Sequence, residues 1–199
     1  STPTVATTAS NRLYNITFTT PTTISGTLYV EGNLDIGSAN FGAVNFYLYG
    51  DYSGTLSSSV NGTIRFLGSG NQNFNANRAS AVIINKSGGT LTFNNNIIAG
   101  TNWTHTAGNL NWNNFSATFP STGSFATITN GNFYDLIISN NNTNTIAGSD
   151  CVVSNKLTLT SISGLNASSY HFKVGGDVEF TDASYNKTTA TQKIILNGT

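Results

Sequence analysis

Two groups of side chains in this 199-residue chain could do chemistry. Trp103 and His105 stand two apart in Asn102-Trp103-Thr104-His105-Thr106, a spacing that on a strand turns both to one side, and Trp112 lies in the next apolar run. A flat aromatic face beside Asn and Thr donors can stack on a sugar ring, which makes Trp103, His105 and Trp112 a candidate glycan platform. The competing reading puts these aromatics in a wide core, because Trp112 alternates in step with Leu110. The second group is Asp177 and Glu179, which alternate with Val178 and Phe180 and so share the outer face, with Asp182 just beyond. Paired carboxylates suit acid/base cleavage of glycosides, and an oxygen-rich cluster suits Ca²⁺. No His or Arg accompanies them and no further ligand is evident, so a solvated face competes with calcium at Asp177, Glu179 and Asp182. No catalytic residue and no obligatory cofactor is expected.

Cys151 is the single cysteine and reads as a small apolar residue in a strand, since no second thiol exists for a disulfide. Charged residues are only 8% of the chain, and eight Lys and Arg balance eight Asp and Glu. A nucleic-acid partner would need a basic stripe to neutralise phosphates, so none is expected. No run approaches the ~20 apolar residues of a membrane helix, and membrane insertion is not expected. Hydrophobic residues make up 38%, enough for a packed core, so the surface must consist of Asn, Thr, Ser and Gly.

The elements that must position these residues are strands. From Leu13 onward short apolar runs alternate with polar residues between Gly and Asn turns, with no helical periodicity. Leu28, Val30, Leu34, Ile36, Phe46, Leu48, Ile64 and Phe66 read as inward in a first unit. Val82, Ile84, Leu91, Phe93, Ile97, Phe119 and Ile128 follow in a second. A third supplies Leu136, Ile138, Val152, Leu157, Leu159, Leu165, Phe172, Val174, Val178, Phe180, Ile194 and Leu196. Matching anchors such as Leu13-Tyr14-Asn15 with Phe133-Tyr134-Asp135 mark a degenerate repeat. The predicted fold is all-β, a parallel β-helix (β-solenoid) of about nine rungs in three degenerate repeat units of roughly 60 residues, each unit fitting about three coils of ~20 residues. Residues 1–12, rich in Ser, Thr and Ala, read as an extended leader, linker or donated strand, and 13–199 as a single solenoid domain, by itself or as a fragment of a longer rod. Parallel stacking accounts for the scarcity of charge: equivalent positions lie ~4.8 Å apart along the axis, where like charges repel and Asn or Thr ladders hydrogen-bond.

Gly62-Thr63-Ile64-Arg65-Phe66-Leu67-Gly68-Ser69-Gly70-Asn71-Gln72-Asn73-Phe74, followed by Ala81-Val82-Ile83-Ile84-Asn85-Lys86-Ser87-Gly88-Gly89-Thr90-Leu91-Thr92-Phe93, resembles the β-helix repeats of large bacterial cell-surface and adhesin-like proteins and of phage fibre or spike proteins. The likeness runs from about Leu13 to Thr199 and implies a secreted or virion-exposed rod of stacked parallel strands, with no shared catalytic residues to carry over. The expected function is a non-enzymatic extracellular structural or adhesive module, on a cell or virion surface. It would contact glycans or proteins and associate with itself or a larger assembly. Two other readings stay open: a polysaccharide-degrading enzyme on the same fold, and an antiparallel β-sandwich filament subunit assembled by strand donation.

Overall fold

A computed structural model describes residues 11–19, 24–37, 41–54, 62–120, 126–139, 143–161, 164–166, 169–181 and 193–197. The leader read over residues 1–12 therefore lies, but for Asn11 and Arg12, outside the described residues, as does Asp182. The chain is a parallel β-solenoid built of stacked coils. The strands of successive coils pair in parallel, which overturns the antiparallel sandwich. Parallel strands buried on their inner sides need a crossover between partners, and here each crossover is one coil of the chain.

Each coil is one rung, close to the ~20 residues expected from the sequence. Equivalent residues of neighbouring coils lie 18 apart from Asn15 to Asn33, 22 apart from Asp51 to Asn73, 21 apart from Asp135 to Lys156 and 25 apart from Asn102 to Thr127. Coils that vary in length this way give about seven turns, not nine. The chain divides into two compact units, one of residues 1–97 with 106–113, the other of residues 98–105 with 114–199.

In the first unit Ile24–Val30 pairs with Phe41–Leu48, which pairs with Thr63–Phe66, which pairs with the first part of Ala81–Phe93. The register places Leu28, Phe46, Ile64 and Val82 in one inward column and Val30, Leu48, Phe66 and Ile84 in the next, all buried. On another side Leu34 is in register with Tyr52, Tyr52 with Phe74, and Phe74 with Phe93. Their rings stack up the coil interior, Tyr52 to Phe74 at 5.2 Å and Phe74 to Phe93 at 5.4 Å between centroids. Aromatic pairs at these spacings add to the area-driven term that dominates such a core.

In the second unit Ser116–Pro120 pairs with Asn132–Ser139, and that strand with Cys151–Thr160. Phe119, Ile138 and Leu159 form one inward column, Ala117, Leu136 and Leu157 its neighbour. Three sequence expectations need correction. Val152 points outward at 40% exposure, because Cys151 and Val153 on either side of it take the inward phase. Phe180 and Leu196 keep the inward phase of their register partners Leu159 and Val174, yet are 52% and 65% exposed. Their strands, Asp177–Thr181 and Ile194–Leu196, each have one strand partner among the described residues, so one flank is uncovered by described structure.

Candidate functional site

The turns are held by side-chain rungs that repeat from coil to coil. In the first unit the Asn15 side-chain oxygen accepts the backbone N–H of Asn33 at 2.7 Å, Asn33 does the same for Asp51 at 3.0 Å, and Asp51 for Asn73 at 2.7 Å. The Asn73 amide also donates to the second Asp51 oxygen at 3.1 Å. Asn94 continues the column by donating to Asn73 at 3.3 Å, and Asn113 by donating to Asn94 at 3.0 Å. These residues satisfy turn backbone that strand pairing leaves unpaired. In the second unit Asp135 accepts from the Asn155 amide and the Lys156 backbone, and Asp150 from the His171 backbone.

The structure separates the proposed aromatic platform. Trp112, 6% exposed, stacks on Phe93 at 3.9 Å and 9° and caps the inner ring column of the first unit. Trp103 is fully buried in the second unit, 5.1 Å from Phe133 and in register with Ile128. Neither indole presents a face to solvent, so the core reading replaces the platform. His105 is half-buried, and its backbone carbonyl accepts the Asn130 amide at 3.0 Å.

Asp177 and Glu179 lie on the outer face, as expected. Glu179 is committed to the ammonium of Lys156 at 2.6 Å on the neighbouring strand, which holds its carboxyl below the usual carboxylate range and raises the lysine. Asp177 is in register with Lys156 itself. The Lys156 ammonium already takes the Glu179 carboxylate that a Ca²⁺ ion would need. Among the described residues no group of three His, Cys, Asp or Glu side chains could hold a metal ion. Calcium through Asp177 and Glu179 therefore lacks its cluster, with Asp182 outside the described residues. Asp150 is likewise paired with Lys173 at 2.8 Å; that hydrogen bond, then the His171 backbone N–H, lowers its carboxyl. Cys151 is buried, and burial pushes its thiol up, away from the reactive thiolate.

One polar cluster lies inside the first unit. Lys86 is 1% exposed, and its ammonium donates to the Gly70 carbonyl at 2.8 Å and to the Gln72 side-chain oxygen. Gln72 in turn donates its amide to the Gly50 carbonyl at 2.7 Å. A Cβ on Gly108 would stand 2.7 Å from the Lys86 Cβ, so glycine there lets the lysine stem pass beneath. The cluster ties neighbouring coils together and has no carboxylate among its contacts, so desolvation lowers the Lys86 ammonium from its ordinary value.

The outer face of the first unit carries a column that sequence reasoning missed. Tyr29, Tyr47 and Arg65 share one register position on successive strands. The two phenol rings stack at 4.4 Å and 21°, and the Arg65 guanidinium lies 4.9 Å from the Tyr47 centroid while donating to Asn45 at 3.1 Å. The signal was present as the 18-residue spacing of Tyr29 and Tyr47, one coil apart. Beside it the Arg12 guanidinium lies 4.0 Å from the Tyr49 centroid and pairs with Glu31.

No helix among the described residues is long and apolar enough to cross a membrane. Compared with protein-family models, with curated proteins and with solved structures, the chain matches none.

Proposed function

We propose that this chain is a non-enzymatic structural and adhesive module of an extracellular rod or fibre, on a cell or virion surface, whose outer faces contact glycans or proteins and which associates with further copies or a larger assembly. The observation that carries the reading is the division of labour in each unit. Apolar side chains fill the coil interiors, neutral Asn rungs fix the turns, and in the second unit Glu179 and Asp150 are paired with Lys156 and Lys173. What varies along such a stack is the outward surface, and repeat architectures commonly use that surface for binding.

The test is incubation of the chain with polygalacturonate and with dextran, following both polymer length and co-migration. The reading expects polymer length to stay constant. Shortening of either polymer would establish the competing polysaccharide-degrading enzyme instead.

A further inference from the structure

The column of Tyr29, Tyr47 and Arg65 holds an outer-face cation whose described contacts include no carboxylate. Arg12 pairs with Glu31, Lys156 with Glu179 and Lys173 with Asp150, each cation meeting a carboxylate. Arg65 instead meets the neutral Asn45 amide and the face of Tyr47. The first unit contains only three acidic residues in its sequence, Glu31, Asp35 and Asp51. Glu31 is held by Arg12, Asp35 accepts the Gly37 backbone N–H at 2.9 Å, and Asp51 is a rung of the Asn column. With four basic residues, Arg12, Arg65, Arg78 and Lys86, against those three acids, this unit carries a formal charge of 4 − 3 = +1.

A guanidinium stacked on an aromatic ring is fixed in orientation, and its fork of N–H donors matches a carboxylate in plane. One of those donors is used by Asn45. The neighbouring register column is Thr27, Asn45 and Thr63, which offers hydroxyl and amide groups beside the phenols on the same face. A protein partner would seek a desolvated apolar centre to anchor it. Here Thr27, Asn45 and Thr63 flank the rings with hydroxyls and an amide, and Ile83, in register beyond Arg65, adds a single aliphatic side chain, a surface that complements a hydroxyl-rich polymer that also bears carboxylates.

We propose that the outer face formed by Tyr29, Tyr47, Arg65 and Asn45 binds an acidic polysaccharide of the uronate type, the Arg65 guanidinium taking the carboxylate and the Tyr, Thr and Asn column taking the sugar hydroxyls. The site rests on the adhesive reading and gives it a ligand class. A polymer laid across successive strands meets Tyr29, Tyr47 and Arg65 in turn, so binding strengthens with chain length.

Affinity electrophoresis of the whole chain tests this, with polygalacturonate, its fully methyl-esterified form, dextran and polyglutamate in separate gels. The expected result is retardation by polygalacturonate alone, weakening as salt rises. Arg65→Gln is expected to lose that retardation and Arg65→Lys to lose much of it, since the ammonium keeps the charge but not the fork. Lys173→Gln in the second unit keeps it. Far-UV circular dichroism identical to that of the parent chain shows that the Arg65 variants fold, as a half-exposed outer side chain permits. Equal retardation by the methyl ester or dextran, retention in Arg65→Gln, or retardation by polyglutamate and not polygalacturonate each overturns the proposal. The last of these makes the partner an acidic polypeptide. Those outcomes leave the adhesive reading standing, whereas shortening of the polygalacturonate in the same samples sinks that reading itself.

Discussion

The Asp51 carboxylate accepts both the backbone N–H and the side-chain amide of Asn73, 22 residues further on, at 2.7 and 3.1 Å. It thereby joins two successive turns through one side chain. Most positions in this column are Asn; Asp51 is the one whose two acceptor oxygens are both used by Asn73.

Replacing Asp51 with alanine strands the Asn73 backbone donor and removes two hydrogen bonds. The expected cost is about 1–3 kcal/mol, from the penalty of an unsatisfied part-buried donor and the loss of charge-assisted bonds. Asp51→Asn keeps one acceptor and should cost less. Urea unfolding of the two variants checks the order, and equal midpoints for Ala and parent would remove the column from any account of stability.

Tyr52 is fully buried between Phe66 and Phe74, and among the described residues its hydroxyl has no hydrogen-bond partner. Burial without a partner also pushes its phenol ionisation up. Tyr52→Phe keeps the ring packing and deletes the stranded hydroxyl. The variant is therefore expected to be as stable as the parent or more so, by up to about 2 kcal/mol. A clear loss of thermal stability in Tyr52→Phe would mean that the hydroxyl is satisfied in solution.

Lys86 gives a pH signature whose sign follows from its environment. Desolvation lowers its ammonium in the folded chain, so between that lowered value and the ordinary lysine value of about 10.4 the unfolded chain binds more protons. The stability of the parent chain relative to Lys86→Met should therefore rise with pH through that window and level off on either side. Paired denaturation curves from neutral pH to about pH 10.5 read this difference directly, with titrations common to both chains cancelling. A flat or falling difference would mean that the ammonium finds compensation that these contacts do not provide.

The two tryptophans are the only ones in the chain, and both are inside coils. Native fluorescence is expected to be blue-shifted and poorly quenched by iodide, changing to a red-shifted, quenchable emission on unfolding. Trp112→Ala and Trp103→Ala should each cost about 3–5 kcal/mol by leaving ring-sized cavities. Neither should alter retention by polygalacturonate in whatever fraction remains folded. Strong iodide quenching of the native protein would restore the surface platform.

Strand character was legible because alternation is written residue by residue: Val82 and Ile84, or Leu157 and Leu159, fall inward in the structure as their spacing requires. Phase was harder where both phases are apolar, as at Cys151-Val152-Val153, where only packing decides that Val152 faces out. The average rung of about 20 residues was legible, but the register of individual coils was hidden for a related reason. Leu34, Tyr52, Phe74 and Phe93 occupy one column, and since any large apolar side chain fills it, their 18- to 22-residue rhythm leaves no repeated letter. The outer column suffered the opposite difficulty. Tyr29 and Tyr47 do repeat, but Arg65 continues them by planarity and charge rather than by residue type. The tryptophans, legible both as platform and as core, show that an aromatic near polar neighbours says nothing about depth until the coil that encloses it is known.

The passage from Asp51 to Asn73 spans 22 residues where Asn33 to Asp51 spans 18, a surplus of 22 − 18 = 4, yet both steps end in the same kind of rung. Coil length is therefore decoupled from stacking geometry. A foreign peptide spliced into a turn, outside the paired strand Thr63–Phe66, would lengthen one lap of the chain without shifting the ladder above or below it. The molecule thus has the makings of a display frame, in which the inserted text can change while the spine that carries it keeps its place.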